Sequence, residues 1–460
     1  MNAIAKNKNG IDMLNGSLWD KIILFALPIA ASSILQQLFN SADVAVAGRF
    51  AGSTALAAVG STGALINLII NLFVGCSTGA NVLISSLVAR GEEEQSRKAV
   101  STALVLAFFS GIFLIAAGFF LSRPLLHLMG SPDDVIDHST VYMQIYFVGM
   151  PFLMIYNFGS AILRSIGDTK RPLIALSLSG VINVVLNLFF VAVMRMGVKG
   201  VAIATVVSEA ISSVLVLKFL MQEKGAIGFD LKHIEFSRSA IKRIVSIGLP
   251  AGVQGIVFSL SNVCIQSGVN SLGSVAMAGN AAASNFETLS YFFCSSFAVS
   301  ALTFASQNYA VGNFERTKKV YHSALLISMC SMFSFDLLVY IFKYPLLSIF
   351  TNDMAVMEYA AIKFRFGLLP HALIPLYEIA SSILRAMGRS LLPAILCIIG
   401  TCFVRLFWVF VVFPYFEDFA VLMCVYPVSW VITATMMITA YNIEKKKLMV
   451  EKYERTVDIV

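Results

Sequence analysis

The feature that most constrains this chain is a recurring block of about 20 continuous apolar residues, repeated along the sequence from residue 22 to residue 442. A block of that length crosses the hydrocarbon of a bilayer as an α-helix. No water is available there, so backbone N–H and C=O groups must pair within the segment or around a closed barrel. Barrel strands are shorter and alternate strictly, which these blocks do not. Only 13% of the 460 residues are charged and 58% are apolar. A water-soluble surface requires about twice that share of charge. The expected fold class is therefore an all-α polytopic membrane protein with twelve transmembrane helices. The spans fall at 22–47, 54–81, 98–121, 139–161, 172–194, 198–219, 244–270, 276–306, 319–341, 359–384, 391–413 and 419–442. The first block lacks a small-residue cleavage site near residue 30, so it reads as a span and not as a removable signal peptide.

Charge sets the orientation. Of the 33 Lys and Arg residues, 25 lie on the N-terminal side of the alternating loops. Five (Arg49, Arg123, Arg195, Lys199 and Lys343) lie on the opposite side, and Lys363, Arg365 and Arg405 lie inside expected spans. The positive-inside rule then predicts a multi-pass protein of the plasma membrane, the bacterial inner membrane, with both termini cytoplasmic. The net charge of +7 is on this reading topological, and no nucleic-acid partner is expected. The basic run Glu444-Lys445-Lys446-Lys447 suits contact with anionic membrane lipids. The seven cysteines all lie in or at the ends of apolar blocks, without zinc-like spacing. They are expected to pack rather than to form disulfides.

An internal repeat organises the spans. Leu27-Pro28 recurs as Leu249-Pro250, and Arg90-Gly91-Glu92 has its counterpart in Val311-Gly312-Asn313. Ile162-Leu163-Arg164 with Gly167 recurs as Ile383-Leu384-Arg385 with Gly388, and Pro172 recurs as Pro393. The offset between copies is the same for all of these pairs, except that the Leu-Pro pair is one position longer. Chance matches would scatter. Six spans separate the copies, so both start on the same side, which predicts a parallel repeat of two pseudo-symmetric six-helix bundles. The expected organisation is an N-terminal lobe at 1–218, a cytoplasmic linker at 219–243, a C-terminal lobe at 244–443 and a basic cytoplasmic tail at 444–460.

Polar groups within spans are costly, and they face protein or a water-filled path. Gln36, Asn40 and Asp43 share one face of the first span, spaced four and three residues apart. Asn183 and Asn187 form an i, i+4 pair in the fifth, and Thr205 and Glu209 another in the sixth. Counting about 1.5 Å per residue from the span ends puts Asp43, Asn187 and Thr205 within about 10 Å of the same membrane face. One carboxylate with amide and hydroxyl oxygens at matched depth could hold Na⁺ at Asp43, or a proton alone. The second half offers Gln254, Asn262 and Gln266 on one face, with Ile265 where the first half has Asp43. Glu287, Asp336, Glu378 and Arg405 are further intramembrane groups, each as well suited to internal pairing as to lining a cleft. Pro28 interrupts the hydrogen bonds of the first span and provides either a hinge or a fixed kink. Neither a nucleotide-binding loop nor a nucleophile constellation appears, so no enzyme activity and no cofactor are expected.

These residues resemble those of the MATE (multidrug and toxic compound extrusion) transporters of the MOP flippase superfamily, over roughly residues 15–445. The resemblance rests on Leu27-Pro28, Gln37-Leu-Phe-Asn40-Ser-Ala-Asp43, Val88-Ala-Arg-Gly91 and Arg164-Ser-Ile-Gly-Asp168-Thr. It continues through Asn183-Val-Val-Leu-Asn187 and Gly200-Val-Ala-Ile-Ala-Thr205, and it is strengthened by their order and by the duplication. It implies a secondary multidrug efflux antiporter that exports organic, often cationic, compounds in exchange for H⁺ or Na⁺ by alternating access. The cation- or proton-coupling roles it implies fall on Asp43, Asn183, Asn187 and Thr205, with Glu209 as a substitute acid. Asn187 stands where the family has an acid. The substrate cleft is expected to involve Gln36, Asn40, Gln254, Asn262, Glu287, Glu378 and Arg405, with Pro28 as hinge. Small organic molecules and membrane lipids are the expected partners, and a monomer the expected state. A lipid-linked oligosaccharide flippase of the same superfamily is the nearest alternative, with Arg405 as its one cationic cleft residue. An intramembrane transferase is a further alternative, but His127, His138, His233, His322 and His371 are scattered along the chain.

Overall fold

The computed structural model describes residues 10–129 and 131–457, and every regular element among them is helical. Lys6 and Lys8, counted above with the N-terminal side, and residues 458–460 of the basic tail lie outside the described residues. The first seven α-helices are α1 (Trp19–Val46), α2 (Ser53–Arg90), α3 (Glu93–Leu128), α4 (Asp133–Val148), α5 (Met150–Ser165), α6 (Lys170–Asn187) and α7 (Val198–Gln222). They are followed by α8 (Arg238–Ser271), α9 (Ser274–Ala310), α10 (Phe314–Ile341), a short α11 (Lys343–Leu347), α12 (Met354–Lys363) and α13 (Ile374–Ala386). The chain closes with α14 (Leu391–Cys397), α15 (Val404–Phe407), α16 (Phe419–Met423) and α17 (Val425–Val457). Among the described residues, eleven helical segments are long and apolar enough to cross a membrane. The pair α4 and α5, bent by 49°, supplies a twelfth when taken as one span.

The bend differs from the straight helix expected at 139–161. Gly149 breaks the helix and Pro151 opens α5 at its first turn, where a missing N–H costs nothing. The tenth and eleventh spans also depart from plain α-helix. Wide π turns at Phe364–Leu368, Ile398–Phe403 and Trp408–Val412, and a 3₁₀ segment at Leu369–Leu373 containing Pro370, interrupt them. All seven cysteines are free.

The sequence repeat is repeated in the backbone. Gly91 and its counterpart Gly312 both have φ +74°, and Gly167 and Gly388 have φ +90° and +81°. A left-handed residue just past a helix satisfies the last carbonyls, and only glycine adopts it without a Cβ penalty. The bonds match as well: Gly167 N–H donates to Arg164 O and Gly388 N–H to Arg385 O, both at 2.9 Å.

The chain divides into two compact units. The first comprises residues up to Ser17, Leu24–Ile256 and Ser306–Asn313, and the second Leu18–Ile23, Val257–Ala305 and Phe314 onward. The division falls inside α8 because Gly248 and Gly252 in its first half sit directly on the backbone of Leu72, Gly75 and Cys76 in α2. The segment at 219–243 is docked on the first unit: Ile227 and Phe229 are buried in its core, and Ser237 N–H donates to Thr102 Oγ1 at 3.0 Å.

Small residues permit close helix approach where lipid offers no hydrophobic drive. In the first unit, a Cβ at Gly111 of α3 would fall on the backbone of Pro151, and one at Gly118 on the buried Phe147 ring. Backbone cannot rotate away as a side chain can. Gly111→Leu should therefore destabilise the protein by about 1–3 kcal/mol, the usual cost of overpacking. Thermal unfolding in detergent reads this as a lowered midpoint, with Gly60→Leu, which meets open space, as the unaffected control.

Candidate functional site

Two polar centres stand out, one in each unit. The first is built around Asp43, only 6% exposed. Phe39, one turn earlier on α1, packs its ring against Gly180 of α6, where any Cβ would strike it. That contact brings the next turn of α1 to the end of α6. Asn187 Nδ2 donates to Asp43 Oδ1 at 2.5 Å and is also 3.2 Å from Asn183 Oδ1. Thr205 Oγ1 of α7 is 3.2 Å from Asp43 Oδ2 and 3.1 Å from Val201 O. Four of the five residues expected at a coupling site thus meet through hydrogen bonds.

Glu209, the fifth, lies one turn further along α7. Its carboxyl lies close to the Tyr146 hydroxyl, and its Oε2 is buried without a partner among the described residues. Gly149 makes room for it, since a Cβ there would crowd Oε2. Tyr142 and Tyr146 are within electrostatic reach of both carboxyls. The bend between α4 and α5 therefore has a local consequence: it leaves a niche for a second acid beside Asp43.

Two of the three helices that carry the cluster widen immediately after it. α1 runs into a π turn at Ala47–Ala51, and α6 into another at Leu188–Val193. Such turns are rare and concentrate at functional sites. Of the remaining first-unit candidates, Gln36 and Asn40 are not buried, Gln254 is buried, and Pro28 lies inside α1 as expected.

The second centre is a cavity of about 300 Å³ in the second unit. Asn262, Glu287 and Arg405, all expected in the cleft, line it, whereas Glu378 is absent from its wall and lies instead within reach of the Arg385 charge. Arg405 Nη1 donates to Asn262 Oδ1 at 2.8 Å and its Nε to Ser429 Oγ at 3.4 Å. Residues not singled out from the sequence complete the wall. Lys363, buried, is 3.1 Å from Glu287 Oε2 and 2.6 Å from Ser284 Oγ. His371 Nδ1 is 3.1 Å from Ser290 Oγ, with Asp336 behind it at 3.9 Å. The one signal that marked Lys363 was a cation inside an apolar block. Nothing local marked His371, Tyr426 or Trp430. No group of three His, Cys, Asp or Glu residues among the described residues is arranged to hold a metal ion.

Comparison with known proteins agrees with this architecture. The sequence model of the MatE family matches twice, at residues 28–189 and again at 250–411, one match in each half of the chain. The probable multidrug resistance protein YoeA of Bacillus subtilis is 28% identical, with 83% of this chain and 84% of that protein aligned. An FAD transporter of Shewanella oneidensis is also 28% identical, over 71% of this chain and 72% of its own. Among solved structures, a MOP superfamily transporter from Pyrococcus furiosus superposes with a TM-score of 0.89 at 20% identity, covering 96% of this chain and 99% of that one.

The Asp43 cluster leads to a test of its internal wiring. Removing the amide by Asn187→Ala leaves a buried carboxylate oxygen without its donor, a loss of about 1–3 kcal/mol. In an Asp43→Asn background the same change should cost less, with a coupling of about 0.5–3 kcal/mol between the two sites. Unfolding in mixed detergent micelles measures the cycle, and additive losses would mean that the contact carries no energy.

Proposed function

This chain belongs to the MatE family of membrane transporters, and from that premise we propose that it is a secondary antiporter that exports small organic compounds in exchange for protons by alternating access. The observation that carries the proposal is the buried Asp43 with hydrogen-bond donors on both of its oxygens. A carboxyl group in that setting exchanges one charge for none when it takes up a proton. The multidrug name of the Bacillus relative supports export of varied small molecules, and the FAD transporter supports a substrate range not confined to cations.

The donor pattern favours H⁺ over Na⁺ as the coupling ion. Asn187 directs its nitrogen at Asp43, an arrangement that suits a carboxylate which is released when it takes up a proton. In the proposed cycle a proton from outside neutralises Asp43 and weakens its hold on Asn187 and Thr205. α1 then bends at Pro28, one turn beyond Leu24, where the chain passes from the second unit to the first. Substrate leaves outward, and loss of the proton inward resets the site. Glu209 with Tyr146 serves as the second proton station. The protein is proposed to act as a monomer in the bacterial inner membrane, both termini cytoplasmic, with its basic tail on anionic lipid.

Inverted vesicles holding the protein test the reading with a panel of fluorescent organic cations and anions. An imposed pH gradient alone should drive uptake of at least one probe, and a Na⁺ gradient alone should not. Asp43→Asn should reach the membrane in normal amount and abolish the gradient-driven uptake. Full uptake by that variant would overturn the scheme, and uptake driven by Na⁺ alone would replace H⁺ by Na⁺.

A further inference from the structure

We infer that the cavity of the second unit is a binding site for an organic anion, a flat aromatic ring system carrying a carboxylate or phosphate. This deepens the transport reading above by naming a substrate class, and it rests on that reading only for its role in export.

The argument starts from the charge balance of the cavity wall. Two cations line it, Arg405 and Lys363, at 1% and 2% exposure, against one lining carboxylate, Glu287. Lys363 takes that carboxylate at 3.1 Å. Arg405 has no carboxylate within ion-pair distance among the described residues; its partners are the neutral oxygens of Asn262 and Ser429. A guanidinium carries five N–H donors, and two of them are used here. A buried cation without a directly paired carboxylate is costly, and natural interiors pair such charges. An anion in the cavity would supply the missing partner, and a planar carboxylate or phosphate matches the guanidinium fork.

The walls say what else the ligand carries. Phe258 and Tyr426 lie 4.9 and 5.0 Å from the Arg405 guanidinium carbon, and Tyr426 is also 5.9 Å from Lys363 Nζ. Trp430 continues the aromatic wall from Tyr426 at 5.6 Å to His371 at 5.4 Å. An aromatic rim around a fixed cation suits a flat ring whose anionic group reaches Arg405. Glu287 is within electrostatic reach of Arg405 as well as Lys363, but one carboxylate shared by two cations leaves the wall with a surplus positive charge that disfavours a cationic drug. The volume of about 300 Å³ is at the small end for drug-sized ligands, so a bicyclic ring system with one charged group is a fitting size.

Purified full-length protein in nanodiscs, with no gradient imposed, provides the test. The probes are 2-naphthoate, 2-naphthyl phosphate and 2-naphthylmethylammonium, which share one ring and differ in charge. Titration calorimetry should show saturable binding of an anionic probe to the unmodified protein, with no competition by the cationic one. Arg405→Gln should weaken that binding about tenfold or more, the scale of one charge-assisted contact, while Lys232→Gln, at an exposed position of the 219–243 segment, leaves it unchanged. Equal or tighter binding of the cationic probe would overturn the inference without reference to any variant. Unchanged binding of the anion to folded Arg405→Gln would overturn it too. Repeating the titration with and without phosphatidylglycerol separates sources of phosphate: binding abolished by that lipid would reassign the site to a lipid headgroup. Because binding is read at equilibrium, a failure of proton coupling in vesicles leaves this outcome untouched.

Discussion

The absence of water in the hydrocarbon layer is the constraint on which everything else in this protein depends. It requires the backbone to close its hydrogen bonds within each segment, which makes every regular element among the described residues a helix. It also removes the hydrophobic reward for joining helices, so close packing must come from shape. Gly111 against Pro151 and Gly180 against Phe39 are instances, each a place where the lack of a side chain lets a neighbour lie flush. The same constraint makes every buried polar group conspicuous. Asp43 has found its donors on two other helices, and Glu209 lies beside Tyr146.

What was legible in the sequence followed from that same physics. Continuous apolarity placed the spans, and the recurrence of Gly91 as Gly312 and of Gly167 as Gly388 anticipated their paired left-handed conformations. Depth counting was enough to unite Asp43 with Asn187 and Thr205, because all three lie near span ends where the register is fixed by a nearby loop. The bend at Gly149 was not read, since Gly and Pro are tolerated within membrane helices and the hydropathy continues unbroken across them. The π turns after Val46 and Asn187 add a residue to a turn without changing composition, so no residue pattern announces them. The cavity wall was only partly visible for a different reason. Arg405 and Glu287 declare themselves as charges, but Phe258, Tyr426 and Trp430 are indistinguishable in sequence from lipid-facing aromatics. Only their convergence from separate helices gives them a role.

The two halves therefore share a scaffold and differ in what it carries. The first has an acid on its first helix; the matching place in the second is Ile265, buried in an apolar cluster. The second has Arg405 on the span that corresponds to the one carrying Asn183 and Asn187. Duplication preserves caps and close packing because each copy needs them to fold. It places no such demand on the few polar sites, which are free to take opposite charge.

That opposition has an energetic consequence for exchange across a membrane that is negative inside. One proton moving inward against one monovalent cation moving outward transfers no net charge, so the membrane potential contributes nothing and the pH gradient acts alone. For a monovalent anion moving outward, both movements carry positive charge inward. At about 2.3 kcal/mol per charge for each 100 mV, the two together gain about 4.6 kcal/mol, a factor of roughly 10³ in the attainable concentration ratio. An acid in one unit and a surplus cation in the other thus form a pairing that draws on the potential twice. Uptake of an anionic probe that responds to potential at zero pH gradient, beside a cationic probe that does not, is the behaviour this charge arrangement requires.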